Sequence, residues 1–285
     1  MRIFVAGATG AIGRQLVPLL VEQGHQVTGT SRSGHGVALV NSLGAEGVLA
    51  DALDAERLHE AVGAAAPDVI VHQLTALGEL DFAAHGRVRR EGTRNLVDAA
   101  RAAGVTRMLA QSIAWAYEAG GEPADETTPL DVDAPAPRSG TIGSVRALEE
   151  AVTELDDHVI LRYGLLYGPG TWYSADEQVA RQLRAGELTA DAAVSSFVHV
   201  EDAALAALAA LDWPAGAVNV VDDEPAAARD WLPALAEALG EPAPPVATDD
   251  TRAGWQRGAT NALARNKLGW TPRYPTWRTG FTSLS

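Results

Sequence analysis

The sequence predicts an α/β fold, a parallel sheet covered by helices on both faces, and three observations point to it. The first is a strand, turn and helix at the start of the chain. Ile3 to Ala6 is a short apolar run, Gly7, Gly10 and Gly13 follow, and Leu16, Leu19 and Leu20 then recur at helical spacing as far as Gly24. The second is repetition. Further short apolar runs end near Thr30, Ala50, His72, Gln111, Arg162 and Val221, separated by longer amphipathic stretches, which is the pattern of βαβ units. The third is size: 285 residues with 47% hydrophobic content are enough for a full core.

The three glycines have separate tasks. Gly7 permits the tight turn after the strand, Gly10 lets the backbone approach a pyrophosphate, and Gly13 lets the helix pack on the strand. Free N–H groups and the macrodipole at the helix start favour phosphate. The turn residues Gly7, Thr9, Gly10, Ala11, Ile12 and Gly13 are therefore candidate dinucleotide contacts, on a Rossmann-type doubly wound sheet. After the second strand, His25 to Thr30, comes Ser31-Arg32-Ser33, with no carboxylate to accept from an adenosine ribose. Arg32 can instead pair with a 2′-phosphate, with Ser31 beside it, so NADP is favoured over NAD.

Composition excludes several classes. A net charge of −15 argues against nonspecific binding to nucleic acid or anionic membranes. No apolar run reaches transmembrane length and no basic-then-apolar leader precedes the first strand, so neither a membrane span nor a signal peptide is expected. The absence of cysteine removes disulfides, thiolate metal sites and a cysteine nucleophile, and suits the cytoplasm. The seven histidines show no ligand spacing, so no metal is expected. Lys267 is the single lysine in the chain.

Gly7-Ala8-Thr9-Gly10-Ala11-Ile12-Gly13 resembles the fingerprint of short-chain dehydrogenases/reductases in their extended, NAD-dependent epimerase/dehydratase branch. Asp51, Val71-His72-Gln73-Leu74, Gly92-Thr93-Arg94-Asn95-Leu96, Tyr167-Gly168-Pro169-Gly170, Phe197 to Asp202 and Leu268 to Pro272 match the same branch in the same order. The resemblance implies that Asp51 meets the adenine amino group with Ala52 behind the ring, and that Leu74, Thr75 and Ala76 wall the cofactor ribose. It makes His72 structural and places Tyr163 and Tyr167 in a loop beside the nicotinamide. Relatives carry Asn where this chain has Arg89, three residues before Gly92.

The family places a serine or threonine at the end of the fifth strand to bind the substrate oxygen. Ser112 is one candidate, and counting back from Tyr117 puts the position on Ile113. The family's proton donor is a tyrosine whose pKa is lowered by a lysine four residues on. Here Thr141 and Val145 stand in those places, and neither can do that work. Ser112, Tyr117, one of Tyr163, Tyr167 and Tyr173, or a bound water are the candidate proton donors, with Ser112, Tyr117 and Tyr167 put first, and Trp115, Trp172, Tyr173, Trp255, Arg257 and Asn261 are candidates for the substrate wall.

The sequence divides into a nucleotide domain over 1–168, completed by 194–221, and a small C-terminal substrate-binding cap over 169–193 and 222–285. Asp54 should cap a helix over Ala55–Ala65. Helices are also expected at Arg87–Ala103, Arg146–Leu155, Asp176–Ala185, Ala203–Leu211 and Ala227–Leu239. The first two are candidates for a homodimer interface. Three activities remain open: an NADP(H)-dependent reductase or epimerase-type enzyme for a small carbonyl or hydroxyl substrate with a non-standard proton donor, a non-redox lyase, isomerase or cyclase, and an NADP(H)-binding sensor.

Overall fold

The computed structural model describes residues 1–75, 82–175, 177–249 and 251–284. It begins with β1 (Arg2–Ala6), α1 (Ala11–Glu22), β2 (Gln26–Ser31), α2 (Gly34–Ser42), β3 (Glu46–Leu49), α3 (Ala55–Ala65) and β4 (Val69–His72). Then come α4 (Phe82–Arg87), a five-residue π-turn (Val88–Gly92), α5 (Thr93–Ala102), β5 (Arg107–Ile113), α6 (Arg138–Val152) and β6 (Asp157–Tyr163). The remainder is β7 (Leu165–Tyr167), α7 (Gln178–Arg184), β8 (Val194–Ser195), β9 (Phe197–His199), α8 (Val200–Ala209), β10 (Gly216–Val220), β11 (Ala226–Ala227), α9 (Ala228–Leu239), α10 (Ala262–Lys267) and α11 (Trp277–Phe281).

Seven strands form the main sheet in the order β10-β6-β5-β4-β1-β2-β3. β1 pairs in parallel with β2 on one side and β4 on the other, with Val5 opposite Val71 and Ala6 opposite His72. The chain runs outward from β1 through β2 to β3 and then returns to β4. The topological switch point, where open α/β sheets bind ligands, therefore lies at the ends of β1 and β4. Ile3, Phe4, Val5 and Ala6 are all buried, because a strand covered on both faces needs apolar residues at every position.

The chain divides into two compact units: residues 1–112, 132–161 and 204–217, and residues 113–131, 162–203 and 218–285. The stretches 113–131, 162–168, 194–203 and 218–221, expected with the nucleotide domain, group with the second unit. In the first unit α3, α5 and α6 cover one face of the sheet through Leu58, Val62, Leu96, Ala100, Leu148 and Val152. Leu16, Val17 and Leu20 of α1 and Val40 of α2 are buried as well. In the second unit Tyr167, Phe197, Trp231, Trp277 and Phe281 form an aromatic core, with Phe197 and Trp231 ring centroids 5.0 Å apart in edge-to-face contact.

Four helices differ from expectation, one of them α8, which runs Val200–Ala209 where Ala203–Leu211 was expected. The stretch read as one helix over Arg87–Ala103 is α4, the π-turn and α5. The helix expected from Arg146 begins at Arg138 and ends at Val152, because Gly140 and Gly143 lower helix propensity in its first turns and hide them from the pattern. α7 covers Gln178–Arg184 of the helix expected at Asp176–Ala185, and Asp176 lies outside the described residues. Asp54 caps α3 as expected, its carboxylate accepting from the Arg57 N–H at 3.1 Å. α9 ends at Gly240, which takes φ +68°.

The outer side of α5 is charged. Arg94 bridges Asp98 and Glu154 at 2.7 and 2.6 Å, and Arg101 reaches the other Glu154 oxygen at 2.8 Å. No described helix is long and apolar enough to cross a membrane.

Candidate active site

The turn between β1 and α1 is set by backbone contact. Gly7 takes φ +93°, and a Cβ there would lie 2.4 Å from the Gln73 carbonyl oxygen. A Cβ on Gly13 would lie 2.3 Å from the Gly7 carbonyl oxygen and 2.7 Å from the Ala8 carbonyl. Gly10 is different: the only heavy atom its Cβ would meet among the described residues is the Gly7 oxygen, at 3.4 Å. Packing therefore accounts for Gly7 and Gly13 but not for Gly10, whose open face leaves room for a ligand. Gly10 is also the N-cap of α1 and offers no side-chain cap, so the N–H groups of the first turn remain available for phosphate. Arg14 Nε holds the Thr9 carbonyl at 2.8 Å, while Ile12 is buried and Ala11 half-buried. A dinucleotide pyrophosphate fits these donors.

At the end of β2, Ser31 is buried and accepts from the Ser33 N–H at 3.3 Å, and Ser33 caps α2 through the Gly36 N–H at 3.1 Å. Arg32 between them is exposed and pairs with no described residue. At the end of β3, half-buried Asp51 turns one carboxylate oxygen to the Leu53 N–H at 2.9 Å. The next residue, Ala52, is held by α5. Asn95 Nδ2 donates to its carbonyl at 2.9 Å, and a Cβ on Gly92 would meet the Ala52 Cβ at 3.3 Å. The motif Gly92-Thr93-Arg94-Asn95 thus positions the candidate adenine wall, a role its spacing does not disclose.

Thr93, in the same motif, fixes His72. Leu74 N–H donates to His72 Nδ1 at 3.2 Å, so Nε2 carries the proton and donates to Thr93 Oγ1 at 2.8 Å. Burial, with the Arg89 charge adding to it, pushes the His72 pKa down to about 4. His72 is therefore a neutral spacer. Leu74 and Thr75 follow it, half-buried, while Ala76 lies outside the described residues.

The positions where relatives keep their acid carry none. Thr141 and Val145 lie on α6, and Val145 is 1% exposed. Ser112 is buried and donates to Glu149 Oε1 of α6 at 2.6 Å, which occupies its hydroxyl inside the first unit. Glu149 was recoverable from the sequence as the one carboxylate within the inward row Val145, Leu148, Val152.

The second unit accounts for the remaining candidates. Tyr117 is buried, donates to Asn219 Oδ1 and accepts from Arg162 Nη1 at 3.1 Å. Tyr163 is buried with its hydroxyl toward the Ala203 carbonyl at 3.3 Å. Tyr167 is fully buried, and its hydroxyl finds no partner among the described residues. Burial and the neighbouring Asp222 raise its pKa above the usual phenol range, and a Cβ on Gly280 would lie 1.7 Å from its oxygen. These surroundings hold Tyr117 in a hydrogen-bond network and seal the Tyr167 phenol in packing. Arg257 spends its guanidinium on the Glu122 and Glu118 carbonyls, and Asn261 ties the Val221 carbonyl to Asp223 at 3.0 and 2.7 Å. Both clamp loops. Trp115, Trp172 and Trp255 are half-buried, and Tyr173 lines a cavity of about 240 Å³ with Trp231, Leu188 and Asp191.

Near Tyr167, Asp222 is 1% exposed, its Oδ2 has no well-formed hydrogen bond among the described residues, and burial raises its pKa to about 8. Asp202 accepts from the Arg273 and Tyr274 N–H groups at 2.7 and 3.0 Å, fastening the C-terminal segment.

Residues 3–221 match the model of the NAD dependent epimerase/dehydratase family. The chain is 46% identical to a 3-diazoavenalumate denitrifying reductase from a Streptomyces species, over 98% of this chain and 99% of that one. It is 28% identical to the 2-alkyl-3-oxoalkanoate reductase of Stenotrophomonas maltophilia, over 85% and 77%. Among solved structures, the Thermus thermophilus UDP-glucose 4-epimerase complex with NAD superposes with a TM-score of 0.77 at 27% identity, covering 100% of this chain and 99% of that one.

Two consequences can be measured. Gly10→Ala should change stability by less than about 0.5 kcal/mol yet weaken dinucleotide binding at least tenfold. Gly13→Ala should cost about 1–3 kcal/mol or more, because its Cβ meets backbone that cannot move away; denaturant melts and titration calorimetry separate the two. For Asp222 the folded pKa lies above the unfolded one, so its contribution is complete below pH ~4 and is lost as pH rises toward ~8. Asp222→Asn should therefore gain stability relative to the parent across that window, read as the difference between two pH series of denaturant melts.

Proposed function

Because the chain belongs to the NAD-dependent epimerase/dehydratase family, as its match over residues 3–221 shows, we propose that it is an NADP(H)-dependent reductase whose acceptor needs no acid from the protein. The observation that carries this reading is the wall where the family keeps its tyrosine and lysine. It presents Thr141 and Val145, and Ser112 is engaged with Glu149.

NADP is supported by Arg32, an exposed cation with no described partner at the end of β2, beside Ser31 and with no carboxylate at that turn. The Gly10 cradle would hold the pyrophosphate, Asp51 and Ala52 the adenine, Leu74 and Thr75 the ribose, and Tyr163 the nicotinamide end. The bound dinucleotide supplies one hydride. His72, neutral and locked in one tautomer, keeps the end of β4 in place without supplying a proton.

Reducing a carbonyl requires a proton at the new alkoxide, and a positioned acid is worth about 10²–10⁴-fold in rate. A diazonium group on an aryl ring does not. One hydride enters, the carbon–nitrogen bond breaks, dinitrogen leaves and a carbon–hydrogen bond remains, so ArN₂⁺ and NADPH give ArH, N₂ and NADP⁺ in balance. The Streptomyces relative, 46% identical along its whole length, is named for reduction of a diazo compound with loss of nitrogen. Replacement of an aryl diazo group by hydrogen is the reaction that both the acid-free wall and this likeness support. Trp115, Trp172 and Tyr173 are the candidate aromatic contacts for such a substrate.

The experiment is a turnover assay with NADPH and either an aryl diazonium acid or the matching aryl ketone, following the nicotinamide absorbance and the denitrogenated arene by mass. One arene per NADPH, with a rate flat across neutral pH, is the expected outcome. Reduction of the ketone alone, or arene formation at the same rate without NADPH, would refute the reading. Arg32→Ala should weaken NADPH binding about 10–100-fold and leave NADH nearly unchanged.

A further inference from the structure

Arg89 lies within the π-turn and is 8% exposed, yet it makes no hydrogen bond or ion pair with any described residue. The other deeply buried arginine, Arg162, donates to Tyr117 and lies over its ring at 5.1 Å. A buried cation without a counter-charge is costly and is retained where something else supplies the partner. The described residues around it do not. His72 and His85 both lie in the field of Arg89, and both have depressed pKa values, about 4 and about 3, with burial the larger cause in each. Burial also lowers Arg89 itself, to about 10, which leaves it charged at neutral pH.

The position of this charge is informative. The π-turn packs against α6, the helix that carries Thr141 and Val145, and a Cβ on neighbouring Gly86 would meet the Ser144 Cβ at 3.8 Å. Thr93, the residue after the π-turn, holds His72, and His72 stands opposite Ala6 at the switch point. Gly92 touches Ala52 on the candidate adenine wall, and Arg89 stands three residues before it. π-turns inside helices occur frequently at functional sites, where the extra residue re-aims a side chain.

We propose that Arg89 is a cofactor-binding residue that takes over the anchoring role for which α6 has no lysine, its guanidinium donating to the phosphate and ribose oxygens of the nicotinamide-side nucleotide. A dinucleotide phosphate supplies the missing counter-charge, and the fork of N–H donors suits phosphate and diol oxygens together. The inference rests on the proposal that the chain binds NADP(H), and it adds the residue that grips the half of the cofactor beyond the glycine turn.

The test compares NADPH with adenosine 2′,5′-bisphosphate, which lacks the nicotinamide nucleotide, by calorimetry on the full chain carrying Arg89→Met or Arg89→Lys. Arg89→Met should bind NADPH about 10–100-fold more weakly and bind the bisphosphate within about twofold of the parent. Arg89→Lys, which keeps the charge and protects against loss of the fold, should show the same split to a smaller degree. Equal weakening of both ligands, or no change in either, would overturn the assignment. So would unchanged NADPH binding with a raised KM for a carboxylate-bearing substrate, which would give the cation to the substrate instead. If the parent chain binds neither ligand, the failure lies in the proposed cofactor and not in Arg89.

Discussion

The fold depends on backbone touching backbone at the first turn. Gly13 lies against the carbonyls of Gly7 and Ala8, and Gly7 lies against Gln73, with no room for a Cβ at either contact. That proximity brings α1 onto β1 and aligns the ends of β1 and β4, where Ala6 faces His72. The other candidate cofactor contacts in the first unit are placed relative to this junction: Ser31 and Arg32 one strand outward, Asp51 and Ala52 two strands outward, and Leu74 and Thr75 on the other side, after β4. A side-chain interaction could tolerate some variation here. Steric exclusion by main-chain atoms cannot, and this is why glycine recurs at those two positions.

Much of this was legible in the sequence, for physical reasons. Strands covered on both faces must be apolar throughout, so Ile3–Ala6 and the runs ending at His72 and Val221 stand out. Caps are local chemistry, so Asp54 and Gly240 announced the ends of their helices. The missing acid was legible as well, since a chain with one lysine at position 267 cannot place one on α6. What was hidden depends on contacts between distant segments. The Glu149 bond to Ser112, the Asn95 bond to Ala52 and the Arg257 clamp on the Glu122 loop each join residues far apart in the chain. Aromatic residues are ambiguous for a related reason. A tyrosine near a glycine-rich loop reads the same whether its hydroxyl faces solvent or, like that of Tyr167, is sealed under α11.

The site combines an intact nucleotide cradle with a wall from which the proton-handling pair is missing. Neutral groups line much of it. His72 is held uncharged by burial, Val145 is aliphatic and the Ser112 hydroxyl is engaged. Such a lining favours a substrate that arrives already electrophilic over one that must be activated by protonation. Arg89, by contrast, keeps its charge at neutral pH, a group too basic to donate its proton and therefore suited to holding rather than reacting.

The π-turn that carries Arg89 contains one residue more than a regular helix would need between α4 and α5. Each residue of an α-helix advances the chain by about 100° around its axis. A version of this protein one codon shorter in that stretch would rotate everything on its N-terminal side by that angle and swing the guanidinium out toward solvent. The inward direction of Arg89 is thus encoded by a count of residues as much as by their identity. A lineage could acquire or discard it through a single insertion or deletion, with the seven strands beneath left untouched.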